Sequence, residues 1–430
     1  MPKIYLINLP APFMLNEMIH PPMGLMYLHE YLTINGIEVP PIVDLAGKKE
    51  SQWEIPDDGE YYGISSTTPQ YLTAVKVARK IKQQNPQAKT ILGGIHATAL
   101  HEKLKGGPFD IIVPGEGELN LLAIISEDKW WENNKHTCYE HGHNIDNFPH
   151  PKLSSLPHKY ILKQTYAFQG KTVERDAGWL MTSRGCPHSC IFCGSHCMWQ
   201  SKVRFHSIKY LEEWIEYWLN MGINNFHFID EQIAFNEKRI TDICKLMKRT
   251  KGYWKCLVRG DTITPKRAKM MYESGCRQII IGIESGSQRL LDLCNKKESV
   301  YDNEMAIEIA HEAGMGVKAS LMVGLPTETQ DDIDMTAEFL RTTQPEEAGI
   351  FIFVPYPGTE VYNNPEKFGY EFRLNTWDEY VCIGRDYFTP VLEEGKEEEI
   401  RNRKFQLLKV VGKNYILDKH KERWNRWGSS

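Results

Sequence analysis

The chain has 430 residues, 41% of them apolar, and sets 51 basic against 56 acidic side chains. That length predicts two domains with extensions rather than one core, and the near balance of charge gives no expectation of a nucleic-acid partner. No apolar run approaches the roughly 18 residues that span a bilayer, and the opening MPKIYLINLPAP has no signal-peptide architecture, so a cytoplasmic protein without a membrane span is expected.

From Lys3 onward short apolar strands alternate with amphipathic helical stretches: IYLIN, IEVPPIVDL, YYGISS, KTILGG and DIIVPGEGE are the strand segments. This repeat predicts a doubly wound, Rossmann-like parallel sheet covered on both faces. Ligands of such sheets sit outside the carboxyl ends of the strands. Those ends read NLPAP, DLAG, SSTTP, GGIHAT and PGEGE, rich in residues that let backbone approach a ligand. No G-x-G-x-x-G follows the first strand, so a dinucleotide is not expected.

Between residues 126 and 175 the periodicity is lost, and this stretch reads as a linker. Its histidines and Cys138 have no compact metal-site spacing and read as polar loop residues. The strand GWLMTS then enters a loop with Cys186, Cys190 and Cys193 in C-x3-C-x2-C spacing, and Cys197 follows four residues later. Three chemistries suit such a loop. Zinc needs four ligands in a closed tetrahedral set, which Cys197 would complete. A redox pair at Cys190 and Cys193 leaves Cys186 without a role. Three thiolates on an iron–sulfur cubane leave one iron open to substrate.

Downstream, NNFHFID, YWKCLVR, RQIIIGI, VKASLMVG and AGIFIFV are strands joined through helices, and with GWLMTS they make six. Six such units predict a partial (β/α)6 barrel whose site lies at the carboxyl ends of its strands. Asp230 and Glu231, Arg259 and Asp261, Glu284 and Ser285, Gly324 and Pro326 fall there. The last 70 residues hold an aromatic stretch and a basic helix, a short α-rich extension read as a lid over the substrate.

Two resemblances extend this reading. PPMGLMYLHEYLTINGIEV, GGIHAT and VPGEGE, within residues 1–125, resemble the cobalamin-binding domain at the amino terminus of many radical S-adenosylmethionine (SAM) enzymes. The resemblance implies cobalamin contacts at Pro10, Pro22, Gly24, Ser65, Ser66, Thr67, Thr68, Pro69, Gly93, Gly94, His96, Gly115, Glu116 and Gly117. The D-x-H-x-x-G motif that supplies a cobalt-ligating histidine elsewhere is missing, and neither His20 nor His96 is expected on cobalt. Residues 176–362 resemble the radical SAM superfamily. There the C-x3-C-x2-C loop implies a 4Fe-4S cluster on Cys186, Cys190 and Cys193, with Cys197 spare. FIDEQ, LVRGD, GIESGS and MVGLP imply SAM contacts at Asp230, Glu231, Arg259, Glu284, Ser285, Gly324 and Pro326, with Phe192 beside the third cysteine and Lys296 in a recurring NKK.

Together the resemblances imply a methyltransferase that alkylates an unactivated carbon with a 5′-deoxyadenosyl radical and methylcobalamin, supplied with electrons by a low-potential flavodoxin or ferredoxin. The substrate is not readable from the sequence; a peptide or protein side chain is one class that fits. The alternatives are a non-methylating radical cyclase or rearrangement enzyme of the same architecture, and a zinc-stabilised binding protein. The expected organisation is a cobalamin domain at 1–125, a linker at 126–175, the barrel at 176–362 and the extension at 363–430.

Overall fold

The computed structural model describes residues 2–14, 16–126, 143–382 and 389–411. Cys138, part of the aromatic carboxyl-terminal stretch (383–388) and the basic tail beyond residue 411 lie outside these.

The first sheet contains β1 (Ile4–Asn8), β2 (Val43–Asp44), β3 (Tyr61–Ser65), β4 (Lys89–Gly93) and β5 (Ile111–Ile112), all parallel in the order β2-β1-β3-β4-β5. Its strands read as continuous apolar runs because both faces are covered. Ile4, Leu6 and Ile91 pack under the helices Met23–Ile34 and Glu118–Ser126, while Tyr62, Ile64 and Leu92 pack under Tyr71–Gln84 and Ile95–Leu104. The strand order reverses between β1 and β3, which opens a crevice at their carboxyl ends.

The second sheet opens with a hairpin, β6 (Lys163–Phe168) and β7 (Lys171–Leu180), antiparallel and joined through Gln169 and Gly170, both at positive φ. Such a two-residue turn matches strand twist, so residues 163–175 of the stretch read as a linker are sheet. After the short antiparallel pair β8 (Ser183–Arg184) and β9 (Arg204–Phe205) come β10 (Asn225–Phe228), β11 (Trp254–Val258), β12 (Cys276–Glu284), β13 (Gly316–Val323) and β14 (Glu347–Ile352). These five follow β7 in parallel register, so the six predicted barrel strands are present, with β6 added at the β7 edge. β6 also crosses to the start of β13, where a Cβ on Gly316 would lie 1.8 Å from the Ala167 carbonyl oxygen.

The helix Glu397–Val411 buries Ile400 and Leu407 in the barrel core. The aromatic segment before it takes another path. Trp377 lies 5.1 Å from the His96 ring of the first domain, with Tyr380 beside it. The extension therefore reaches the first domain as well as the barrel.

Between the two sheets runs a charge network. The Arg184 guanidinium, 4% exposed, donates to Glu116 at 2.5 Å and to Glu118 at 2.7 Å, and Arg204 reaches the other Glu116 oxygen at 2.8 Å. Tyr27 and Phe148 face the guanidinium of Arg184 at 4.9 and 5.3 Å. Burial alone would raise the pKa of Glu116, but Arg204 and Arg184 hold it at about 2. Because its folded pKa is depressed, the stability it contributes is full above its ordinary value near 4.5 and is lost as pH falls toward 2. Arg184→Met leaves the buried Glu118 without its guanidinium and Glu116 with Arg204 alone, and is expected to cost about 3 kcal/mol in urea unfolding at neutral pH. A loss below about 1 kcal/mol would mean that water replaces the guanidinium.

Candidate functional site

A cavity of about 260 Å³ opens at the carboxyl ends of the first sheet, against the barrel. Gly24, Ser65, Gly93, Gly94, Gly115, Glu116 and Gly117 line it from one side, and Met181, Arg184, Met198 and Trp199 from the other. Gly94 has φ +91° and lies so close to the β3 loop that a Cβ would stand 2.7 Å from the Ser66 carbonyl oxygen. Only glycine makes that turn and keeps the cradle open. Thr98, which the sequence reading passed over, holds the cradle together. Its hydroxyl donates to the Gly94 carbonyl and accepts from the Gly115 N–H, both at 2.9 Å.

The other residues expected at cobalamin do not line this cavity. Ser66 donates its N–H to the Gly93 carbonyl at 3.0 Å, and Thr67 bonds Gln70. The Gln70 amide reaches the Leu9 and Pro10 carbonyls, so Pro10 and Thr67 belong to the frame behind the cradle. Pro22 caps the helix Met23–Ile34, and Pro69 starts a helical turn. His96 is fully buried between Tyr71 and Trp377, and its Nδ1 lies 3.3 Å from the Thr68 hydroxyl. Burial lowers its pKa to about 4. It is a packing histidine, behind the cavity wall.

The cysteine loop follows β8. Cys186, Cys190 and Cys193 are free, half-buried thiols, and the Cys193 N–H donates to the Cys190 carbonyl at 3.0 Å. Burial raises the pKa of all three, that of Cys193 to about 11. Arg259 and Lys296 oppose this rise at Cys186 and Cys190. Among the described residues no three His, Cys, Asp or Glu side chains converge as the ligands of one ion do. A cubane asks for less convergence, since each thiolate takes a different iron, and cationic neighbours suit the negative charge of such a donor set. Cys197 sits on the next helix, packed toward Ala99 and Gly358, where a Cβ on Gly358 would lie 2.7 Å from its sulfur. Burial alone raises its pKa, with no contribution from the other thiols.

The strand-end residues divide into two groups. Asp230 is spent within the fold: its carboxylate accepts from the Thr182 N–H and hydroxyl and from the Ser183 hydroxyl, at 2.6 to 3.0 Å. Ser285 bonds Thr336, Gly324 donates to Glu328, and Pro326 is buried. Glu231, Arg259 and Glu284 instead adjoin the cysteine loop. Glu231 accepts from the Trp199 indole at 2.6 Å, and Arg259 makes a bidentate pair with Asp261 at 3.0 and 3.1 Å. Phe192 packs beside Ile191 and Leu325.

Glu284 carries φ +64°, at a register shift between Gly282 and Glu284. Such strain in a non-glycine residue persists only where its surroundings enforce it. Here Lys296, 5% exposed, donates to Glu284 at 2.8 Å and to the Gly282 carbonyl at 2.7 Å. Glu298, absent from the sequence reading, lies 3.8 Å from Lys296 and 3.6 Å from Arg259. No sequence motif points to it; only the fold brings it under both cations.

The two sheets thus meet at a glycine-lined cavity, and Arg184 and Trp199, which bracket the three cysteines in the chain, line it, whereas Cys190 and Cys193 line a separate cavity of about 240 Å³ with Ser189, His196 and Gly358. Family models agree in both halves: residues 17–125 match the B12 binding domain and residues 180–340 match the radical SAM superfamily. The chain is a radical SAM protein with an amino-terminal B12-binding domain. It is 29% identical over 391 residues to an uncharacterized methyltransferase of Pyrococcus horikoshii, covering 84% of this chain and 82% of that protein. It is 25% identical over 400 residues to the anaerobic magnesium-protoporphyrin IX monomethyl ester cyclase of Rubrivivax gelatinosus, covering 87% and 70%. Its fold matches that of TsrM, a radical S-adenosylmethionine methyltransferase of Kitasatospora setae solved with tryptophan and a SAM analogue, with a TM-score of 0.71 at 13% identity, covering 95% of this chain and 89% of that one. Among the described residues no helix is long and apolar enough to cross a membrane.

Gly282 leaves the space through which Lys296 reaches Glu284, since a Cβ there would lie 2.6 Å from the carboxylate and 3.0 Å from the amine. Gly282→Ala is expected to displace this pair and to cost roughly 1–3 kcal/mol in thermal or urea unfolding. An unchanged midpoint would mean that the pair has slack.

Proposed function

We propose that the protein is a cobalamin-dependent radical SAM C-methyltransferase, and the observation that carries this is the cavity between the glycine cradle and the barrel residues Arg184, Met198 and Trp199 that bracket the thiol loop. Bound on its two sides, the cofactors would supply one-electron hydrogen abstraction and a transferable methyl group. Cys186, Cys190 and Cys193 would hold the 4Fe-4S cluster, and Cys197, packed away from them, would serve the fold. Glu231 and Glu284 would accept from the SAM ammonium, while Arg259, a rigid planar fork, would face its carboxylate. Asp230, Ser285, Gly324 and Pro326 would act on SAM only through the strand ends they fix, and Phe192 would pack beside the loop. The cradle of Gly93, Gly94, Gly115 and Gly117 lets a broad, flat ring lie on backbone, and Met181, Met198 and Trp199 would keep water from the space between the cofactors. With His96 behind the wall, cobalt would carry no protein imidazole. The reductant would be a low-potential flavodoxin or ferredoxin.

A second reading is favoured by the cyclase relative: the same cofactors and cavity would serve ring closure without methyl transfer. Product masses after anaerobic turnover with SAM separate the two. A gain of one CH2 unit per product supports transfer, and a loss of hydrogen alone supports cyclisation.

Cys186→Ala, Cys190→Ala and Cys193→Ala are each expected to lose most iron and acid-labile sulfide, with Cys197→Ala near wild type. Equal loss in Cys197→Ala, or stoichiometric zinc in anaerobically purified protein, would favour a four-thiolate site. Electron paramagnetic resonance of the cob(II) form is expected to lack nitrogen superhyperfine splitting. A splitting abolished by His96→Ala or His20→Ala would instead place a histidine on cobalt.

A further inference from the structure

The inner face of the barrel is less tightly packed than its outer face. Along β12, β13 and β14 the residues that face the helices are fully buried, whereas Ile280, Ser320, Met322 and Phe351 on the inner face are half-exposed. One level of the barrel wall is polar in a continuous row. Strand register places Trp179 beside His227, His227 beside Lys255, and Lys255 beside Gln278, across β7, β10, β11 and β12. The ring centroids of Trp179 and His227 are 4.8 Å apart. His20, from the loop before the first helix, stands edge-on to Trp179 at 4.9 Å.

Almost every member of this row is a donor, and most lack an acceptor. Trp179 Nε1, both ring nitrogens of His227 and Gln278 Nε2 are buried without a hydrogen-bond partner among the described residues. Trp179 is 4% exposed and Gln278 1%. Lys255 does have a partner, the Thr165 carbonyl of β6 at 3.0 Å, which anchors the row to the barrel floor. Charge points the same way. Lys318 of β13 acts on Lys255, His20 and His227, and the acid that answers it is Glu347, 3.9 Å away. Burial first, and Lys318 after it, push the Lys255 amine down to about 8. A buried donor left unsatisfied costs about 1–3 kcal/mol, and adjacent ones are relieved together by a single multivalent acceptor.

We propose that this row is a subsite for the anionic end of the substrate, a carboxylate or phosphate group held by the Trp179 indole, the Gln278 amide and the Lys255 ammonium. The reading rests on the transfer site proposed above and adds the polarity of what enters it. The next inward residue along β7 is Met181, which lines the shared cavity. Two residues of strand rise about 7 Å. An anion seated on the row therefore presents carbon to the cavity a short distance along the same molecule. The reacting carbon is selected by its distance from the anionic group.

Indole-15N-labelled full-length protein, purified anaerobically, is titrated with acetate, inorganic phosphate and neutral acetamide, and the Trp179 resonance is assigned with Trp179→Phe. Trp179 is expected to shift saturably with one or both anions and not with acetamide; the stronger of the two identifies the group. Lys255→Met, and separately the more exposed Lys318→Met, should each weaken that binding by about tenfold, the equivalent of one charge-assisted hydrogen bond. Unfolding midpoints check that both variants are folded. A Trp179 resonance unmoved by either anion, or moved equally by acetamide, or an affinity unchanged in both lysine variants, overturns the subsite. Anion binding without methylated product would overturn the transfer reading alone, and methylated product without anion binding would overturn the subsite alone.

Discussion

The guanidinium of Arg184 is the constraint on which the rest of the molecule depends. It leaves the barrel two residues before the first cysteine of the loop and ends on two carboxylates of the other domain, Glu116 in its last loop and Glu118 at the start of the helix that follows. Removing three such charges from water is expensive, and their attraction offsets that cost only when the geometry is close to ideal. An apolar contact of equal area would tolerate sliding. This one has a single good arrangement, so the spacing between the glycine cradle and the thiol loop is fixed by electrostatics rather than by fit alone. The neighbouring Tyr27 and Phe148 keep water away from the pair.

With the two halves fixed in relation, the barrel can pack less tightly on its inner face. Its outward side chains carry the packing, and the inner face is left for chemistry. The strain at Glu284 belongs to the same division: a register shift turns its carboxylate inward, and the buried Lys296 meets it there. The aliphatic core behind the strands has to hold that backbone in place.

Much of this architecture was legible in the chain. The five strands of the first sheet and the six barrel strands were visible because each is buried on its helix side and reads as an apolar run, and the thiol triad was visible because its spacing is local. The hairpin Lys163–Leu180 was missed although TYAFQGKTVE alternates around a Gln-Gly turn, because the surrounding residues read as irregular. Half of the residues expected at cobalamin do not line the cavity. Glycines such as Gly93 and Gly94 line the cavity because backbone follows the strand end directly, but whether a hydroxyl or imidazole faces in or out depends on helix packing. His96 shows this: Trp377, almost three hundred residues later, decides that it faces inward into the core. Glu298, Thr98 and the Arg184 network belong to the same category, contacts between distant segments that no local pattern records.

The path of Trp377 has a consequence for synthesis. The outer face of the helices that carry His96 and Tyr71 is covered by a segment synthesised almost three hundred residues later. Contacts of such long sequence separation carry a large closure entropy and form late. Until then the first domain displays an aromatic patch in a compact, unfinished chain, the kind of surface that chaperones hold and neighbouring chains join. This domain is thus translated well before the segment that completes it, and a ribosome that stops short of Trp377 releases a domain with its own sheet but an open flank.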